Sequence, residues 1–202
     1  MEQRQIARLV VFGAIAAACA SSNTESAPAA TKPGTESMGQ EMSHEAHGDE
    51  TVKTFDLSHR GKPDVWKYYR PGTDANGNKV DKLVRKEIDL NGDGRPDIIK
   101  YFDDNGQLVK EEFDLDFDGK VDQINYYEKG ELVRKERDLA FNKKPDTFIY
   151  YEKGKIVRKE RDTKGNGKID YWEYWNGDEI DRIGEDLDGD GVVDRWTKKG
   201  GS

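Results

Sequence analysis

A single cysteine, Cys19, leaves this chain without any internal disulfide. Histidine is almost as scarce: of three, only His59 lies beyond the polar N-terminal stretch. There is no zinc spacing, no paired nucleophile and base and no glycine-rich phosphate loop, so catalysis finds no support. Carboxylates recur throughout, and that repetition argues against one special acid–base pair. No apolar run is long enough to cross a bilayer as a helix. Hydrophobic residues make up 34% and charged residues 37%, less apolar filler than a usual globular domain holds. The net charge of −8 argues against a nucleic-acid partner. Against these shortages stand 10% aromatics, which bring large buried area and favour strands.

Arg4 and Arg8 precede ten uncharged residues, Leu9 to Ala18. That length suits the apolar region of a secretory signal. Ala16, Ala17 and Ala18 then lead into Cys19. These four residues resemble a bacterial lipobox, with Ala16 where such motifs most often carry Leu. The resemblance implies cleavage before Cys19 and a lipid anchor on it. Ala20, which is not Asp, implies sorting to the outer membrane. The alternative is an ordinary signal peptide cut after Ala18. Residues 1–18 are thus expected to be a signal peptide, 19–50 the lipidated cysteine and a flexible tether, and 51–202 a repeat domain. The tether holds too little apolar surface to fold, and its thirty or so residues reach on the order of 30 Å. His44 and His47 could share a metal at helical spacing, but nothing nearby fixes the geometry, and they are read as solvated.

From Asp56 onward the chain repeats. Units begin with Asp at 56, 89, 114, 138, 162 and 186, at intervals of 33, 25, 24, 24 and 24 residues, the mark of an array of supersecondary units. Each unit holds two strand-like runs. The first contains a period-2 pair: Trp66 and Tyr68, Ile99 and Tyr101, Ile124 and Tyr126, Phe148 and Tyr150, Trp172 and Tyr174. The second is Leu-Val-Arg-Lys-Glu or a near copy. Asn105-Gly106, Lys129-Gly130, Lys153-Gly154 and Asn176-Gly177 supply tight turns between them. The first unit carries an insertion around Pro71 to Lys79, and the last is cut short after Trp196, as a cap would be. The expected fold is all-β: an antiparallel hairpin meander of about six 24-residue units and ten or more strands. Columns formed by Arg85 and Glu87, Lys110 and Glu112, Arg134 and Glu136, and Arg158 and Glu160 would give a solvated charged face with weak cross-strand pairing.

The connections between hairpins carry the chemistry. One reads Asp114, Asp116, Asp118, Asp122, another Asp186, Asp188, Asp190, Asp194, and a third Asp89, Asn91, Asp93, Asp97, at loop positions 1, 3, 5 and 9 with glycine at 6. Calcium takes six to eight oxygens, so several carboxylates must converge on one turn. This spacing resembles the first part of an EF-hand calcium loop. Without flanking helices, it looks more like the loops of thrombospondin type 3 repeats. Position 12 holds Lys100, Asn125 and Thr197 where an EF-hand has glutamate, which implies weak calcium affinity, about 10⁻⁴ to 10⁻³ M. Lys164 weakens the loop at 162, and the loops at 56 and 138 lack the pattern. The other reading is of plain Asx turns, in which Asp and Asn bond their own backbone.

Residues 126–136, Tyr-Tyr-Glu-Lys-Gly-Glu-Leu-Val-Arg-Lys-Glu, look like MORN-type and YD-type hairpin repeats, which implies architecture only. The function expected is a membrane-anchored, calcium-binding scaffold at the cell envelope, holding an envelope protein or surface polymer. Its partner face would be the stripe of Trp66, Tyr68, Trp172, Tyr174 and Trp175, unless the sheet curls and these rings form its core. A second reading is a structural subunit of an envelope adhesion or surface-motility complex with calcium incidental; a third is an enzyme.

Overall fold

The computed structural model describes residues 39–198. The residues read as a signal peptide, Cys19 and most of those read as a tether lie outside the described residues. The strands are β1 (Gln40–His47), β2 (Glu50–Asp56), β3 (Val65–Thr73), β4 (Lys79–Ile88), β5 (Ile98–Phe102), β6 (Leu108–Phe113), β7 (Gln123–Glu128), β8 (Glu131–Arg137), β9 (Thr147–Glu152), β10 (Lys155–Arg161), β11 (Tyr171–Asn176), β12 (Glu179–Glu185) and β13 (Arg195–Lys198). They form one 13-stranded sheet in sequence order, each strand antiparallel to the next. No helix occurs among the described residues. The all-β hairpin meander read from the sequence is the fold observed.

The sheet starts at Gln40, inside the stretch read as tether. His44 and His47 stand on β1, three residues apart and so on opposite faces, which removes the helical spacing. The insertion in the first unit lengthens one hairpin: β3 and β4 stay paired out to Thr73 and Lys79. The turns at Lys129-Gly130 and Lys153-Gly154 have positive φ at both residues, the backbone twist that two-residue hairpins favour.

A bulge recurs in the repeat hairpins. Tyr126 pairs with Arg134 and Tyr127 with Leu132, so Val133 is the extra residue. Val84, Val109, Val157 and Asp181 are skipped in the same way. A bulge reverses the alternation of a strand. Leu132 and Arg134, two residues apart, therefore point to opposite faces. One face alternates tyrosine with arginine or lysine along one row, and Trp66, Ile99, Ile124, Phe148 and Trp172 with glutamates along the next. The other face gathers Tyr127, Leu132, Ile149 and Tyr151 into a buried cluster, flanked by Leu108 and Ile156. With one layer only, this burial comes from neighbours on the same face.

Candidate metal centre along the loop rim

Six nine-residue loops join β2 to β3, β4 to β5, β6 to β7, β8 to β9, β10 to β11 and β12 to β13, all along one rim of the sheet. They share one backbone course. The fourth residue has positive φ in every loop, as His59, Gly92, Phe117, Phe141, Gly165 and Gly189, and so does the sixth, as Gly61, Gly94, Gly119, Lys143, Gly167 and Gly191. Successive loops are also tied together. Asp89 N donates to Asp64 O (2.9 Å), Asp114 N to Asp97 O (2.8 Å), Asp138 N to Asp122 O (2.8 Å), Asp162 N to Asp146 O (2.8 Å) and Asp186 N to Asp170 O (3.0 Å).

The first and ninth carboxylates hold this course. In the sixth loop Asp186 accepts from Gly189 N (2.6 Å) and Gly191 N (2.7 Å), and Asp194 from Leu187 N (2.8 Å). The fourth loop, which lacks the calcium pattern, does the same: Asp138 accepts from Asn142 N (3.1 Å) and Lys143 N (2.5 Å), and Asp146 from Leu139 N (2.9 Å) and Ala140 N (3.0 Å). These two aspartates are therefore turn formers in every loop. Burial pushes the carboxyls of Asp56, Asp162 and Asp186 up, but the converging N–H donors outweigh it and hold all three below the ordinary carboxylate range.

What distinguishes the loops lies between. In the third, one oxygen each from Asp114, Asp116 and Asp122 falls within 4.8 Å of the others, and in the sixth the same holds for Asp186, Asp188 and Asp190. Such a convergence is a set of three carboxylate oxygens that could hold a metal ion. Asp194 stays with the backbone, and Asp118 is paired with Lys120 of its own loop. The second loop brings together no such trio: Asn91 replaces one carboxylate, its Oδ1 accepting from Asp93 N (2.7 Å), while Asp89 and Asp97 take the turn-forming roles.

Basic side chains also reach from loop to loop, a contact that depends on register between neighbouring loops and has no motif of its own. Arg60 lies against Gly92 and Arg95 against Gly119. Lys164 Nζ donates to Asp186 O (3.0 Å) and Lys168 Nζ to Gly189 O (2.9 Å). Each crosses from one loop to the next, so internal cations offset part of the repulsion along the rim.

The aromatic residues divide between faces. Trp66, Tyr68, Trp172 and Tyr174 share one face. Trp175 is on the other, its Nε1 donating to Glu173 (3.1 Å) with Lys159 Nζ 5.2 Å from its ring; all five are half-buried. On the shared face each tyrosine is engaged. Arg85, Lys110, Arg134 and Arg158 lie 3.8–4.2 Å from the ring centroids of Tyr68, Tyr101, Tyr126 and Tyr150, and the four hydroxyls donate to Glu87, Glu112, Glu136 and Glu160. Burial and then the Glu112 hydrogen bond push Tyr101 up to about 12. The charged columns and the aromatic stripe are thus one network, joined by cation–π contacts.

No protein-family model and no curated protein matches this chain. Among solved structures, one of accessory secretory proteins 1, 2 and 3 of Streptococcus pneumoniae aligns at 20% identity and TM-score 0.32, over 65% of this chain and 20% of that one. A TarM mutant of S. aureus, in complex with Fondaparinux, alpha-GlcNAc-glycerol and UDP, aligns at 13% identity and TM-score 0.23, over 71% of this chain and 21% of that one. This chain spans about a fifth of each.

Proposed function

We propose that the chain is a lipid-anchored, non-catalytic scaffold of the cell envelope whose hairpin array is stiffened by calcium. The observation that carries this reading is the convergence of three carboxylates in each of two loops, the third and the sixth, within a frame that all six loops share. Calcium suits a site of hard oxygens built on a turn, completed by carbonyls and water. Bound there, it neutralises acids that stand roughly 10 Å from the next loop and would otherwise repel one another within the screening range of salt. The lipobox-like Ala-Ala-Ala-Cys19 supplies the anchor, and a partner protein or surface polymer would be held by the array. Calorimetric titration of the full chain with calcium tests the cation, with Asp188→Ala as control. Heat of binding in the parent that falls by one site's share in the variant supports the reading; no heat at millimolar calcium refutes it. Release of Cys19→Ala from membranes tests the anchor, since the acyl chains supply most of the membrane affinity.

A further inference from the structure

The loops place apolar side chains in water. Their second residues, Leu57, Leu90, Leu115, Leu139 and Leu187, are 44–57% exposed. Phe117 and Phe141, fourth residues of the third and fourth loops, are 47% and 52% exposed. Both also hold positive φ, 64° and 52°, where three other loops carry glycine. A bulky residue in that conformation strains the backbone, and here it gains little burial in return. Exposure and strain at one position point to a surface outside the chain. Because the loops follow one rim, these side chains recur at the spacing of a hairpin, roughly 10 Å.

The place where the preceding chain joins the sheet says which surface. Gln40 pairs with Asp56, the first residue of the first loop. Gly39 packs against Leu57 and the main chain of Asp56. The tether therefore leaves from the loop rim, beside the row of leucines. Nineteen residues separate Cys19 from Gly39 in the sequence. The opposite rim, with Asn105, Lys129, Lys153 and Asn176 at its turns, is polar.

The geometry points to the loop rim as a docking edge for the bilayer that holds the anchor, with its leucines and two phenylalanines seated at the boundary between headgroups and acyl chains. This rests on the lipoprotein reading. Charge permits the approach. The first, fourth and fifth loops each balance two aspartates with two basic residues, and the acidic trios sit in loops where a bound cation would lower the repulsion from lipid phosphates.

The test uses the full acylated chain in phosphatidylcholine vesicles that contain spin-labelled lipid. With Cys19 acylated, a cysteine introduced by Leu139→Cys or Lys153→Cys is the one reactive thiol, and it carries a fluorophore. The label at 139 should be quenched several-fold more than the label at 153. Adding Phe117→Gly and Phe141→Gly should shrink that difference while raising the melting temperature, a combination that a purely structural role for the rings does not give. Equal quenching of both labels on vesicle-bound protein overturns the docking and leaves the anchor standing. Protein that does not sediment with vesicles overturns both. Shielding of position 139 from aqueous iodide without lipid quenching assigns the rim to a second copy of this chain, and overturns the bilayer as occupant.

Discussion

Lys164 donates its ammonium to the main-chain carbonyl of Asp186, 3.0 Å away. The contact joins the third residue of one loop to the first residue of the next, so the sixth loop, which holds one of the two carboxylate trios, already has a protein cation against it. The same ammonium helps the backbone donors to hold Asp186 down. Sequence comparison with a calcium loop makes Lys164 a defect of its own loop; in three dimensions it serves the neighbour.

Lys164→Met keeps the stem and removes the charge. It should lower the calcium-free stability slightly, by less than about 1 kcal/mol for so exposed a group, and let Asp186 rise toward the ordinary range. It should also enlarge the calcium-induced gain in melting temperature, because the sixth loop then lacks its internal counter-charge. An unchanged calcium response would show that the ammonium does not compete.

Calcium at 100 times its Kd should stabilise by about 2.7 kcal/mol per site when it binds only the folded state. Asp116→Ala and Asp188→Ala should each remove most of one site's gain. Asp118→Ala should remove less, because its carboxylate is paired with Lys120 and stands outside the trio. Asn142→Ala, in a loop with no trio, should leave the response intact. Thermal unfolding with calcium and with chelator reads all four.

The ninth aspartate makes a separate claim. Asp146→Ala orphans the N–H groups of Leu139 and Ala140 and the hydroxyl of Thr147. The two N–H groups are exposed and water can replace the carboxylate, so the loss should be on the order of 1 kcal/mol, the net worth of an ordinary hydrogen bond. The loss should appear in denaturant melts without calcium, in a loop that has no cation pattern, and Asp146→Asn, which keeps one acceptor oxygen, should lose less.

Asp56, Asp64, Asp162 and Asp186 are all held below their ordinary range. Folding thus favours their charged forms, and the stability they contribute is complete above the unfolded carboxylate value, near about 4. It is lost as pH falls through the lower folded values. The melting temperature should therefore drop as pH descends from about 4, and protonation should weaken calcium binding over the same interval. A flat profile between pH 5 and 2 would contradict the hydrogen-bonded turn.

Fold and loop spacing were legible because both are periodic. Glycines mark the turns, period-2 aromatic pairs mark the strands, and six aspartates mark the repeat. The division of faces was not. A bulge at Val133 and its equivalents is invisible to an alternation rule, so nothing in the sequence places Leu132 and Arg134 on opposite faces; Trp175, next to Tyr174 on β11, leaves the stripe by ordinary alternation. The fourth loop position escaped notice for a related reason: glycine announces positive φ, whereas Phe117 and Phe141 adopt it against their preference. The cross-loop reach of Lys164 and Lys168 depends on register between neighbours and leaves no trace in either loop alone.

Gly184 stands where Glu87, Glu112, Glu136 and Glu160 stand in the other repeat hairpins, and the ring of Trp196 lies over it. A Cβ there would come within 3.1 Å of that ring and of Val193. Arg182 is held between Tyr174 and Trp196, 4.7 and 5.1 Å from their centroids, so the indole takes the place of the missing glutamate and closes the tyrosine–cation row at β13, the last strand. Two effects oppose each other in Gly184→Ala. Removing a strand glycine gains about 0.5–1 kcal/mol, while crowding the half-exposed Trp196 costs a similar amount, so the net change should be small. Gly184→Glu restores the repeat but has to displace the indole, and overpacking of that kind costs about 1–3 kcal/mol. In a Trp196→Ala background the same Gly184→Glu should turn neutral or stabilising, because the carboxylate can then pair with Arg182 as its counterparts pair in the other hairpins. That sign change is the coupling a double-mutant cycle measures. Equal losses from Gly184→Glu in both backgrounds would mean that Trp196 does not cap the array.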